Sequence, residues 1–197
     1  MRKLLILIVV FTTTYFFLNF KQTTNYKEGD VIFQTTSGQT GKAIQLATHS
    51  KFNHCGVLFL ENNKWVVYEA VQPVRKTSLE DFNARGKGIV KRLGNKTLSK
   101  EEVNTLKTLF KTYEHKDYDE AFNWSDERIY CSELVYKLYK NGLQIELCKP
   151  RKLSDFDLNN PLVKEKLNEK YGNKIPLNKP MVSTEDIFKS ALLIDVK

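Results

Sequence analysis

The chain has 197 residues, 31 Lys and Arg against 23 Asp and Glu for a formal charge of +8, with 41% apolar and 27% charged residues. This length and balance exclude a disordered chain and a multi-span membrane protein, and fit one domain with its own core. Three cysteines (Cys55, Cys131 and Cys148) exclude a disulfide-rich scaffold, and no close Cys/His spacing suggests a metal site. Arg2 and Lys3 account for part of the charge, and the rest is spread along the chain. With no basic block interleaved with aromatics, nucleic acid is not an expected partner.

The first twenty residues read as an address. Leu4 to Phe20 is an apolar run behind two cations, ended by Lys21. That is the pattern of a secretory signal, and the run is also at the short limit for a spanning helix. Residues 1–20 are therefore either a cleaved signal or an N-terminal membrane anchor. Residues 21–197 form one domain on the non-cytoplasmic side, periplasmic or secreted, or membrane-associated through residues 4–20.

The remainder alternates strand and helix patterns. Val31-Ile32-Phe33 is a short buried strand after the turn Glu28-Gly29-Asp30. The glycine-rich stretch Ser37 to Gly41 precedes a helical segment from Lys42 to Thr48. It is not a phosphate loop, because Ala43 stands where Ser or Thr must hold magnesium. His54 to Leu60 and Trp65 to Val71 form a hairpin around Asn62-Asn63, which tolerate the positive φ of a tight turn. This register pairs Gly56 with Glu69 and His54 with Val71, and makes His54 and Glu69 diagonal neighbours on one face. Gly88 to Leu93 is a further strand. Ser99-Lys100-Glu101-Glu102 is a capping box opening a helix with Val103, Leu106, Phe110 and Tyr113 on one face. Cys131 begins a second amphipathic helix, striped by Leu134, Val135, Leu138 and Tyr139 and ended by Asn141-Gly142. A charged helix spans Leu162 to Tyr171, and Ser183 to Asp186 is an acidic turn.

The candidate chemistry is one thiol, one imidazole and one carboxylate. A helix N-terminus stabilises a thiolate at Cys131 and offers amides to an oxyanion, although a free cysteine is also a common buried core residue. Of three histidines, His49 and His115 lie in polar loops, while His54 starts an apolar strand. Glu69 interrupts another apolar strand, where a buried carboxylate needs a partner, and the hairpin supplies His54. Nucleophile, base and orienting group are thereby present.

Five segments stand in order: Gly29-Asp30-Val31-Ile32-Phe33-Gln34, Ala43-Ile44-Gln45-Leu46-Ala47-Thr48, Asn53-His54-Cys55-Gly56-Val57, Tyr68-Glu69-Ala70-Val71-Gln72-Pro73-Val74 and Tyr130-Cys131-Ser132-Glu133-Leu134-Val135. The set resembles the YiiX-like branch of the NlpC/P60 superfamily, the circularly permuted papain-like hydrolases. The resemblance covers about residues 26–145, with His before Cys, the reverse of ordinary papain order. It implies an α+β fold, a small antiparallel barrel-like sheet packed on the helix that carries the nucleophile. It also implies Cys131 as nucleophile, His54 as base and Glu69 as third member. Tyr118 resembles the tyrosine that lines the site in NlpC/P60 enzymes and helps bind the oxyanion. Gln34 is a further candidate oxyanion donor, or a strand cap. Cys55, facing away from His54, reads as a core residue, Glu133 as structural, and Asp30 as fixing the turn into the first strand.

The expected function is an exported cysteine amidase or peptidase without cofactor or metal, acting through a thioester on a small peptide or amide-bearing substrate, such as a peptidoglycan-derived peptide. The alternatives are an acyltransferase or lipid hydrolase using the same Cys-His pair, or a non-catalytic binding module on this scaffold. Specificity is expected from loops such as Asn83 to Lys87 and from the tail beyond Lys149.

Overall fold

The computed structural model of the protein describes residues 25–196, so the apolar run of residues 4–20 lies outside the described residues. Among these no helix is long and apolar enough to cross a membrane. The strands are β1 (Val31–Gln34), β2 (His54–Glu61), β3 (Lys64–Glu69), β4 (Arg75–Ser78), β5 (Ile89–Leu93), β6 (Arg151–Lys152), β7 (Pro180–Met181) and β8 (Leu193–Asp195). Six of them form one antiparallel sheet in the order β4-β3-β2-β1-β5-β8, and β6 and β7 pair separately.

The hairpin between β2 and β3 has the expected turn. Asn62 and Asn63 take φ of 49° and 59°, and Gly56 stands opposite Glu69. β3 stops at Glu69, so the expected pairing of His54 with Val71 does not form within the strand. Three short strands, β4, β6 and β8, carry too little apolar alternation to stand out in the sequence. They form because neighbouring strands present unpaired edges to them.

Among the described residues, six α-helices surround the sheet. α1 (Gln39–Thr48) begins three residues before Lys42, entered through Gly38 at φ 115°. α2 (Leu79–Ala84), not anticipated, is capped by Ser78, whose side chain accepts from Asp81 N. α3 (Lys100–Lys111) carries the expected box of Ser99 and Glu102. α4 (Cys131–Leu143) starts where expected but runs past Gly142 to a left-handed Gln144 at φ 58°. Gly142 stays helical and packs close, since a Cβ there would sit 3.1 Å from Leu106 Cδ2. α5 (Pro161–Tyr171) begins with Pro161 behind the Asn160 cap. α6 (Thr184–Phe188) replaces the expected acidic turn, because Ser183 and Asp186 close a capping box.

Strand alternation divides the core. Val31, Phe33, Cys55, Val57, Phe59 and Tyr68 face α3 and α4, meeting Leu106, Phe110, Leu134, Val135 and Leu138. Ile32, Leu58, Val67 and Val90 face the other way and are covered by Phe82 of α2. Each such side chain stabilises the fold by about 1.5–3 kcal/mol when fully buried. Asp30 holds the entry to β1, accepting from Lys27 N at 2.8 Å and from Arg92 Nε and Nη2 at 2.7 Å each. The two packed layers bring the first turn of α4 to the His54 end of β2.

Candidate active site

Glu69 is the last residue of β3, and His54 the first of β2. Their diagonal placement across the hairpin puts His54 Nε2 2.5 Å from Glu69 Oε2. Only glycine fits between them, since a Cβ at Gly56 would lie 2.5 Å from Val67 Cγ1 and 2.9 Å from the Tyr68 carbonyl oxygen. The second carboxylate oxygen of Glu69 accepts from Arg85 Nη2 at 2.6 Å. Phe82, one turn before Arg85, stacks on the His54 ring with centroids 5.7 Å apart.

Cys131 is the first residue of α4, and both it and His54 are buried. His54, Cys55 and Tyr118 surround Cys131 closely enough for each to be linked to its charge state. These contacts set the charge states. The hydrogen bond from the Cys55 thiol, followed by the opposing effect of burial and then the contact with His54, leaves the Cys131 thiol well below its ordinary pKa. Burial alone would lower the His54 pKa, but hydrogen bonds to Cys131 and Glu69 outweigh it and raise it to about 9. Burial would raise the Glu69 carboxyl, but His54 and Arg85 bring it down to about 2. Burial pushes the Cys55 thiol and the Tyr118 phenol well up, so both stay protonated and able to donate. The opposite shifts of Cys131 and His54 favour a thiolate–imidazolium pair beside the Glu69 carboxylate.

The other flank of Cys131 differs in character. A cavity of about 110 Å³ adjoins Cys131, walled by residues that include Ala43 and Ile44 of α1, Leu153, Val163 of α5 and Val182. Its surface is overwhelmingly apolar. The Val182 wall is tied to the start of α4 by two bonds: Ser132 Oγ donates to Val182 O at 2.8 Å, and Val182 N donates to the Tyr130 hydroxyl at 3.1 Å. Behind the site, Lys137 joins α4 to the preceding loop, donating to Ser125 O at 2.9 Å and Asp126 Oδ1 at 2.7 Å. It also lies 2.8 Å from Glu133, whose carboxyl burial raises to about 7 despite that pairing.

The residues singled out in the sequence fall into three groups. Cys131, His54, Glu69 and Tyr118 converge. Gln34 lies beside them but its amide is committed elsewhere: Nε2 donates to the Phe82 and Gly86 carbonyls, each at 2.5 Å, so it braces the turn after α2 instead of facing the thiol. His49 and His115 are exposed and outside the site, His49 lying 3.4 Å from Asp157. Cys55 does face away from His54, but it is more than core packing, because its thiol touches Cys131. The segment Asn83 to Lys87 holds Glu69 through Arg85, while the tail beyond Lys149 supplies much of the cavity wall. Sequence reasoning missed the role of Arg85, and nothing in its local motif signals it, since its partner lies on another strand.

Comparisons with known proteins bear on the fold and the family. Residues 25–193 match the family model described as permuted papain-like amidase enzyme, YaeF/YiiX, C92 family. An uncharacterised protein, YiiX of Escherichia coli (strain K12), is 43% identical over 171 residues, covering 85% of this chain and 84% of its own. A crystal structure described as metalloprotein YiiX from Escherichia coli O157:H7 superposes with a TM-score of 0.83 at 44% identity, covering 87% of this chain and 96% of that one. The metal in that description belongs to that protein. Among the described residues here, no three His, Cys, Asp or Glu side chains converge as a metal site, and both Glu69 oxygens already have partners. With its fold, its segment order and these relatives in agreement, the chain belongs to the permuted papain-like amidases of the YaeF/YiiX (C92) family.

Proposed function

We propose that the protein is an exported cysteine amidase that cleaves the bond between an apolar acyl group and an amine. The observation that carries this reading is the apolar cavity that Cys131 helps to line. An acyl chain seated there presents its carbonyl carbon to the thiolate. The Cys131 sulfur attacks, and the carbonyl oxygen takes up the electron pair. Amides of the first turn of α4 and the Tyr118 hydroxyl receive that oxyanion. The tetrahedral intermediate collapses as His54 gives its proton to the leaving amine, which leaves a thioester on Cys131. His54, now neutral, takes a proton from water, and the resulting hydroxide carbon–oxygen bond replaces the carbon–sulfur bond. Glu69 keeps the imidazole oriented throughout.

A short wall-derived peptide remains within the amidase class, but its charged and hydroxylated groups find few partners on these walls. The same cavity also suits a lipid ester, and this second reading shares every residue. A series of N-acyl amides and matched acyl esters separates them. We expect kcat/KM on the amides to rise with acyl length and to vanish in Cys131→Ala. Turnover of muropeptides with no dependence on an acyl chain would overturn the acyl reading, and turnover confined to esters would select the lipid hydrolase.

A further inference from the structure

Glu69 is wholly buried, and each of its oxygens has its own partner. A carboxylate held at one oxygen can turn about its last bond and carry the histidine with it. Held at both, it is fixed. The second partner, Arg85, is itself anchored although 33% of its side chain is exposed. Its guanidinium lies over the Phe82 ring, 5.2 Å from the centroid, and that ring stacks on His54. The carbonyls of Phe82 and Gly86, on either side of it, are gripped by the Gln34 amide. Gly86 takes φ 151° and approaches so closely that a Cβ would sit 2.4 Å from the Thr35 carbonyl oxygen. The turn is therefore clamped to the end of β1, beside the strand that carries His54.

We propose that Arg85 is a positioning residue for the reaction, holding the Glu69 carboxylate so that one oxygen always faces His54. The inference rests on the Cys131–His54–Glu69 reading above. The groups facing Glu69 are His54 from β2, Arg85 after α2 and the Thr77 hydroxyl from β4. Arg75, opposite Glu69 on β4, turns its guanidinium to the Gln72 carbonyl instead. Arg85 is thus the permanent cation against the carboxylate, and it helps keep that group ionised in acid. With Arg85 and Glu69 neutralising each other, the thiolate and imidazolium keep their own balance.

The experiment is the pH dependence of Cys131 alkylation by iodoacetamide, read by mass spectrometry on the wild-type chain, Arg85→Met and Arg85→Lys. Alkylation requires no substrate, so a wrong substrate class does not affect it. In Arg85→Met the acid limb, which reports formation of the Cys131 thiolate, moves up, because Glu69 is then an anion uncompensated by a cation behind it. Arg85→Lys, which keeps the charge, moves it less. On an acyl amide, kcat in Arg85→Met falls about tenfold with KM unchanged, as expected for loss of an orienting partner. An Arg85→Met acid limb that superposes on wild type overturns the proposal. So does a loss of activity that tracks a drop in thermal midpoint and is not recovered in Arg85→Lys. If wild-type Cys131 reacts no faster than an ordinary thiol, the underlying Cys-His reading fails first, and the two failures are told apart.

Discussion

The two flanks of Cys131 are built on opposite principles. On the hairpin side, Glu69 meets a partner at each oxygen: His54 at one and Arg85 at the other. On the α5 side an apolar cavity meets the same residue, Cys131, with almost no polar surface. A buried charge network costs stability unless every member is satisfied, so its geometry tolerates little change. An apolar wall has no directional requirement and can be reshaped by changing volume alone. The difference teaches where chemistry and selectivity reside in the proposed enzyme. The paired flank sets the protonation states, and the apolar flank sets what can be held beside them.

Breaking the paired flank at its centre should have the largest effect. Cys131→Ala is expected to reduce amide turnover to background with the thermal midpoint within a few degrees of wild type, measured by steady-state kinetics and a melting scan. Glu69→Gln should cost about a hundredfold in kcat, the low end for disturbing a general acid–base group. The neutral amide cannot stabilise the imidazolium, so His54 should titrate below its present value of about 9, which a histidine NMR titration would reveal.

The pH behaviour of that flank follows from the directions of the shifts. Glu69 is lowered to about 2, so its contribution to stability is present above the usual unfolded carboxylate value and is lost as pH falls through about 2. His54 is raised to about 9, so its contribution is full below the unfolded imidazole value and is lost as pH rises through about 9. Urea unfolding across pH should therefore show a decline that begins near the unfolded imidazole value of 6.5 and is complete near 9, absent in His54→Gln.

The apolar flank should respond to volume. Ala43→Phe, which fills part of the cavity, is expected to lower kcat/KM for long acyl amides several-fold more than for acetyl amides. Equal losses on both would remove the cavity from substrate selection. The smallest effects come from supports. Cys55→Ala removes one donor from the thiolate and should raise the Cys131 pKa by about one unit, as a hydrogen bond to a charged group implies. The thiolate absorbance at 240 nm against pH reads it. Gly56→Ala should destabilise by about 1–3 kcal/mol through overpacking against Val67 and Tyr68, seen in the urea midpoint.

The legibility of the site in the sequence follows the same division. His54 and Glu69 were readable because a two-residue Asn62-Asn63 turn fixes the register of a local hairpin, and the register alone makes them neighbours. Cys131 was readable because an amphipathic stripe has to start somewhere, and it started there. Arg85 was not, because its meeting with Glu69 depends on α2 folding back across the sheet. Gln34 reads as an oxyanion donor or a strand cap, and which groups its amide meets depends on the turn after α2, whose Phe82 and Gly86 carbonyls it binds. Cys55 reads from the sequence as core packing, because strand alternation says which face a residue takes, not what lies against that face.

By itself, then, the sequence determined the local elements: hairpin register, helix starts at capping boxes, and the order of His, Glu and Cys along one chain. These depend on backbone sterics and on the periods of the apolar pattern, which a few neighbouring residues specify. Tertiary structure alone decided the rest: the cavity assembled from α1, α5 and the segment at Val182, the contact of Cys55 with Cys131, and the grip of Arg85 on Glu69. Those depend on how layers far apart in sequence pack to bury apolar area and to satisfy buried charge, and no single segment carries that information.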